Sequence, residues 1–189
     1  MEDISSSTKT LVLSDFSKTR KEVKQKEPKH KKKVLAQTDE WDQYIMENLS
    51  PAAQKHATDE ALRMLYAEDT DNKAARILIR LIKIKQAGYR AQDTDKGVLD
   101  TENFVGIKDI LEKLQRSELR CFYCKEHTHV FYEYCRDPKQ WTLERVDNAF
   151  GHNRDNVEIA CLQCNIRRRT MFYERYQMTK QCVITKRDA

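Results

Sequence analysis

The chain has 189 residues, 34% of them charged and 39% hydrophobic, with a formal net charge of +5. That suffices for one ordinary domain, or a small domain with extensions, but not for a core that takes in every residue. Four glycines and three prolines argue against a turn-rich all-β protein, and no apolar run approaches the roughly 18–20 residues needed to span a bilayer. The opening MEDISSSTKT lacks the basic start and apolar stretch of a secretory signal, so a soluble, intracellular protein away from membranes is expected.

Residues 1–37 read as a basic, disordered tail. From Lys18 to Lys33 the chain is dense in lysine, Pro28 interrupts any helix, and almost nothing apolar is present to bury, so ordering would go uncompensated. Such a run is a nuclear-import signal, a phosphate-binding arm, or simply a solvated tail.

Residues 38–116 read as helical. Trp41, Tyr44, Ile45 and Leu49 recur at helical spacing. Ser50–Pro51 is a start signal, serine capping and proline fitting the first turn, with Leu62, Leu65 and Tyr66 as the apolar stripe that follows. Ala74–Ala87 begins after Asp71 and is expected to stop before Gly88; its β-branched content leaves a strand open. A loop, QDTDKG, follows, and Ile107, Ile110, Leu111 and Leu114 mark a last helix. No chemistry is legible in this region, which reads as a packing unit or a surface for a protein partner.

From Ser117 the character changes. Cys121–Phe–Tyr–Cys124 and Cys161–Leu–Gln–Cys164 form two C-x-x-C pairs with 36 residues between them. In a reducing compartment, cysteines paired this closely are more often metal ligands than disulfides. Two such turns complete a tetrahedron of thiolates around zinc, whose binding would supply folding free energy to a segment with little core of its own. Cys135 and Cys182 read as ordinary thiols, and a second site using His127, His129 and Cys135 lacks a fourth ligand.

Between and after the pairs, Trp141–Val146 alternates as a strand, NAFGHNRDN is loop chemistry, and Val157–Ala160 suits a second strand. NIRRRTMFYERYQM can then run as one helix carrying Arg167, Arg168, Arg169 and Arg175. The order C-x-x-C, strand with a carboxylate, glycine loop, Asn, strand, C-x-x-C-N resembles the HNH (ββα-metal) endonuclease family, in the form clamped by two zinc knuckles. The matching residues are Cys121/Cys124, Leu143–Glu144–Arg145, Gly151, Asn156 and Cys161–Leu–Gln–Cys164–Asn165, within about residues 119–176. The expected fold is therefore α+β: a mostly helical N-terminal region, a small zinc-stabilised ββα module over 117–178, and a tail over 179–189.

The resemblance implies a metal-dependent endonuclease cutting DNA phosphodiester bonds, RNA not being excluded, in a family that viruses and mobile elements also encode. It implies a chain encoded by a virus or mobile element, structural zinc on the four cysteines and a catalytic magnesium or manganese ion between Glu144 and Asn165, with Asn156 bracing the loop. Arg167, Arg168, Arg169 and Arg175 would contact nucleic-acid phosphates. The departure is Arg145, which stands where the family has its general-base histidine and does not release a proton at working pH. Variants reading Asp/Glu–Arg–hydrophobic–Asp–Asn, then Gly–His or Gly–Tyr, do occur among HNH-like proteins. His152 in the loop, or Asp147, is the replacement base. The alternatives are a catalytically silent zinc module that binds nucleic acid, and an adaptor whose zinc only supports a protein-binding surface.

Overall fold

The computed structural model describes residues 31–33, 38–39, 41, 45–66 and 72–182; most of the expected tail, Tyr44 and the last seven residues lie outside them. The described residues form a mixed α/β structure of five α-helices and one two-stranded antiparallel sheet.

Helix α1 spans Pro51–Leu65, with the Ser50 hydroxyl accepting from the Ala53 amide at 3.2 Å and proline at its first turn. It buries Gln54, Ala57, Thr58, Ala61 and Leu62, whereas Leu65 and Tyr66, expected to belong to that stripe, are exposed at its end. Helix α2 spans Lys73–Asp95, capped by Asn72. It runs through Gly88, contrary to the expected stop and the strand alternative. The stop is at Gly97 (φ +67°), where the Val98 amide donates to Asp93 and the Gly97 amide to Thr94, the paired bonds of a glycine C-cap. Gly88 has no such geometry and a Cβ there would touch nothing within 4 Å. Gly88→Ala is accordingly expected to stabilise the fold by about 0.5–1 kcal/mol through helix propensity alone, read as a raised urea midpoint with an unchanged slope. Helix α3, Ile107–Arg116, buries Ile110, Leu111 and Leu114 as its spacing predicts, and the Asp109 carboxylate accepts from the Gly106 amide at 2.8 Å.

Strands β1 (Trp141–Arg145) and β2 (Val157–Cys161) pair with Leu143 opposite Ile159 and Glu144 opposite Glu158. Trp141 and Leu143 from β1, with Val157 and Ile159 from β2, join Leu78, Ile82, Ile110, Leu111, Leu114 and Phe131 in one core. The packing therefore runs straight across residue 116, where the sequence changes character. The outer edge of β1 is closed by side chains: Tyr89 accepts from the Leu143 amide at 3.0 Å, Lys85 donates to the Trp141 carbonyl, and Asn165 donates to the Leu143 carbonyl at 3.3 Å.

The expected single helix after the second C-x-x-C is two, α4 (Leu162–Arg168) and α5 (Tyr173–Gln181). The break falls at Arg169, in the left-handed region at φ 55°; just before it, the Arg168 side chain folds back to donate to the Met171 carbonyl at 2.9 Å. Helix α5 continues to Gln181, inside what was expected to be tail. At the other end, Lys31–Lys33, also assigned to a disordered tail, bridge Glu133–Cys135: the Lys33 amide donates to Glu133 and the Cys135 amide to Lys31, both at 2.8 Å.

Candidate functional site

The four cysteines of the two C-x-x-C pairs converge. Their Sγ atoms all lie within 4.8 Å of one another, three of the residues buried and Cys124 half-buried. Tetrahedral ligation with bonds of about 2.3 Å places sulfurs roughly 3.8 Å apart; Cys124 Sγ and Cys161 Sγ are 4.0 Å apart. The turns that aim them are local. The Lys125 amide donates back to the Cys121 carbonyl with Lys125 at φ 60°, and Cys161 is the N-cap of α4, its sulfur accepting from the Cys164 amide at 3.4 Å. Hydrogen bonds from neighbouring sulfurs hold the Cys121 thiol low and push Cys161 up, so the group ionises fully only around a cation. This donor set can hold a metal ion such as zinc. Tyr123, Tyr176 and Ala160 enclose it on one side of the sheet, the Tyr123 and Tyr176 rings meeting edge-on at 4.9 Å. Cys135 and Cys182 are exposed and outside the cluster. His129 Nδ1 faces Asp137 at 3.6 Å, and no metal-ligating group forms around it among the described residues.

Beyond β1 a cleft of about 690 Å³ opens between α2, β1, the loop 146–156 and α4. Glu144, Arg145, His152 and Asn165 all line it. Glu144 is 4% exposed; its Oε1 accepts from Arg168 Nη1 and from the Tyr123 hydroxyl at 3.3 Å. Burial raises the Glu144 carboxyl, and the Arg168 guanidinium works against that rise. Asn165 spends its amide nitrogen on Thr142 Oγ1 (3.2 Å) and the Leu143 carbonyl. Glu144 Oε2 and Asn165 Oδ1 are left outside these hydrogen bonds, and both are hard oxygen donors of the kind a divalent cation takes.

His152 is buried, yet its ring reaches the cleft wall. Nδ1 lies 2.8 Å from Asp93 Oδ1, the His152 backbone amide donates to Asp93 Oδ2 at 2.6 Å, and the ring lies on Tyr89 with centroids 4.5 Å apart. An aspartate carboxylate only accepts, so Nδ1 carries the proton and Nε2 is left as the acceptor. Burial lowers the His152 pKa, outweighing the opposing pull of Asp93, and the ring is neutral at pH 7. The docking needs glycine at 151. A Cβ there would come within 2.5 Å of the Val98 carbonyl oxygen and 2.8 Å of Asp93 Oδ2, distances that real Cβ atoms do not reach.

The rest of the loop is held from within. Asn156 Oδ1 accepts from the Asp147 amide at 2.9 Å, and its Nδ2 donates to the carbonyls of Asp147 and Gly151. Arg145 Nη1 donates to the carbonyls of Asn148 and Phe150, so it braces the loop that carries His152. Asp147 turns away, its carboxylate accepting from the Ala149 amide at 2.8 Å. Of the four arginines expected at phosphates, Arg167, Arg169 and Arg175 are exposed and Arg169 lines the cleft. Arg168 is not accessible: it is 3% exposed, paired with Glu144, and donates to the Arg145 and Val146 carbonyls.

Asp93, Tyr89, Lys85 and Lys96 carry no signal in the local sequence; Asp93 meets His152 across 59 positions. Lys85 and Lys96 line the cleft from α2, and burial lowers the Lys85 ammonium to about 7. Among the described residues the only acidic side chain on the lining is Glu144, against the basic Lys85, Lys96, Arg145 and Arg169. No helix is long and apolar enough to cross a membrane among the described residues. No protein-family model, curated protein or solved structure matches the chain.

Proposed function

We propose that the chain is an HNH-type endonuclease that hydrolyses phosphodiester bonds of DNA, with a structural zinc ion on Cys121, Cys124, Cys161 and Cys164. The observation that carries this reading is the Asp93–His152 pair, which opens on a cationic cleft beside the free oxygens of Glu144 and Asn165. It supplies the base that Arg145 cannot be. His152 Nε2 takes the proton of a water molecule whose oxygen attacks phosphorus, while the bond to the leaving deoxyribose oxygen breaks and that oxygen takes a proton from solvent. Asp93 fixes the ring and stabilises the imidazolium that forms. Arg169 and Lys96 draw the phosphate chain into the cleft. A magnesium or manganese ion held by Glu144 and Asn165 would stabilise the charge on the phosphate.

The pairing of Glu144 with Arg168 favours a second reading, a zinc module that binds nucleic acid without cutting it, because the guanidinium neutralises the carboxylate. Nicking of supercoiled plasmid in magnesium or manganese separates the two. Wild type is expected to nick, and Glu144→Ala, His152→Ala and Asn165→Ala are each expected to lose about 10²-fold or more. Salt-sensitive binding with no nicking in either metal would move the chain to the second reading.

A further inference from the structure

Helix α2 contributes more than packing. Its buried apolar face ends at Ile82; beyond that, Lys85, Gly88, Tyr89, Gln92 and Lys96 line the cleft. These positions recur every three or four residues and so share one face. Lys85 donates to the Trp141 carbonyl and lies 3.4 Å from Gln140 Oε1, its ammonium 4.5 Å from the centroid of the Trp141 ring. Neither Lys85 nor Lys96 has a carboxylate partner among the described residues. Lys85 is half-buried and Lys96 exposed, and a phosphate would give both the counter-charge that the lining lacks. Between the two lysines Gly88 leaves open space, and the His152 ring stacks on Tyr89.

We propose that this face of α2 is the second wall of a nucleic-acid channel, along which Lys85 and Lys96 hold the phosphates of one strand while Gly88 leaves room for its backbone. Lys85 and Lys96 stand eleven positions apart, about 16 Å along the helix axis, far enough for each to meet a different phosphate of the strand. The opposite wall is α4 with Arg169. The proposal rests on the cleft being a nucleic-acid site, and not on its cutting what it binds.

The test is fluorescence anisotropy with labelled single-stranded DNA and RNA oligonucleotides over a range of salt. Divalent ions are left out, and so are chelators, which would strip a cysteine-bound metal. Lys85→Gln with Lys96→Gln is expected to weaken binding about tenfold or more at 0.1 M salt. It should also flatten the log–log salt slope by about 1.4, the loss of two phosphate contacts on a single strand. Gly88→Glu puts a carboxylate on the wall where no atom obstructs it. It is expected to weaken binding at least tenfold with no loss of thermal stability, which separates a blocked wall from a damaged fold. Lys83→Gln, exposed on α2 but outside the cleft lining, should bind as wild type does. The stronger of the DNA and RNA arms identifies the source of the strand. Wild-type affinity and slope in the double-lysine variant, or wild-type affinity in Gly88→Glu, would overturn the proposal, as would a chain that binds neither oligonucleotide. Binding that depends on α2 in a protein that never nicks would sink the nuclease and leave the wall standing. Nicking with both α2 variants at full affinity would do the reverse.

Discussion

Asp93→Asn is expected to lower the nicking rate by about 10²–10⁴-fold while leaving the fold and nucleic-acid affinity intact. The asparagine oxygen still accepts from the His152 backbone amide, which approaches Asp93 at 2.6 Å. Its NH₂ group, however, must face Nδ1, where the carboxylate stood at 2.8 Å. The imidazole then accepts at Nδ1 and carries its proton on Nε2, the nitrogen that must be bare to take a proton from water. Imidazole ¹⁵N shifts should show the tautomer change directly, and thermal melting should show an intact protein. The wild-type rate should rise with pH through the His152 pKa. Burial sets that pKa below the usual 6.5, so the rising limb lies on the acid side of 6.5 and the rate is level from neutral pH upward. The same sign holds for stability: a histidine buried neutral is destabilising once it must be charged, so stability falls as pH drops through that range. Undiminished nicking by Asp93→Asn would remove His152 as the base.

Loss of the metal centre should have the largest effect on the fold. Cys161→Ser takes away one of the four converging sulfurs while its hydroxyl can still cap α4, so the loss falls on the metal centre. Structural zinc sites contribute on the order of 10–16 kcal/mol in small peptides, against about 5–15 kcal/mol for the net stability of a whole domain. The variant is therefore expected to lose its zinc and its cooperative melting transition. Wild type should hold about one zinc per chain by elemental analysis. Cys135→Ser, exposed and outside the cluster, should retain both metal and melting temperature. One zinc per chain retained in Cys161→Ser, with an unchanged melt, would show that the cluster is not a structural metal site.

What was legible in the sequence was local. The Ser50–Pro51 start, the two strands and the last helix of the N-terminal region follow from patterns within a few residues of each position, and the convergence of four cysteines from two matching C-x-x-C pairs 36 residues apart. The bracing of the loop by Asn156 was an expectation of the resemblance alone, and its partners Asp147 and Gly151 are near neighbours in the chain. Gly88 misled because glycine stops a helix only where the backbone turns left-handed, and that happens at Gly97. Arg168 misled because three consecutive arginines look alike until Glu144 buries one of them. The partnership of Asp93 with His152 could not be read locally, since it arises only when α2 packs beside the sheet. The sequence showed no chemistry in the helical region, yet that region supplies one wall of the cleft and the residue that orients the histidine.

The outer edge of β1, paired by backbone among the described residues only at Trp141 with His129, offers a last consequence. A two-stranded sheet normally presents free amides and carbonyls to any passing strand. Here Tyr89, Lys85, Asn165 and Arg168 occupy those groups from α2 and α4. Three of these four side chains also line the cleft. The side chains that line the cleft are thereby also the ones that close this edge. A substitution that removes one of these side chains from the cleft wall therefore also bares a backbone group on which another strand can pair.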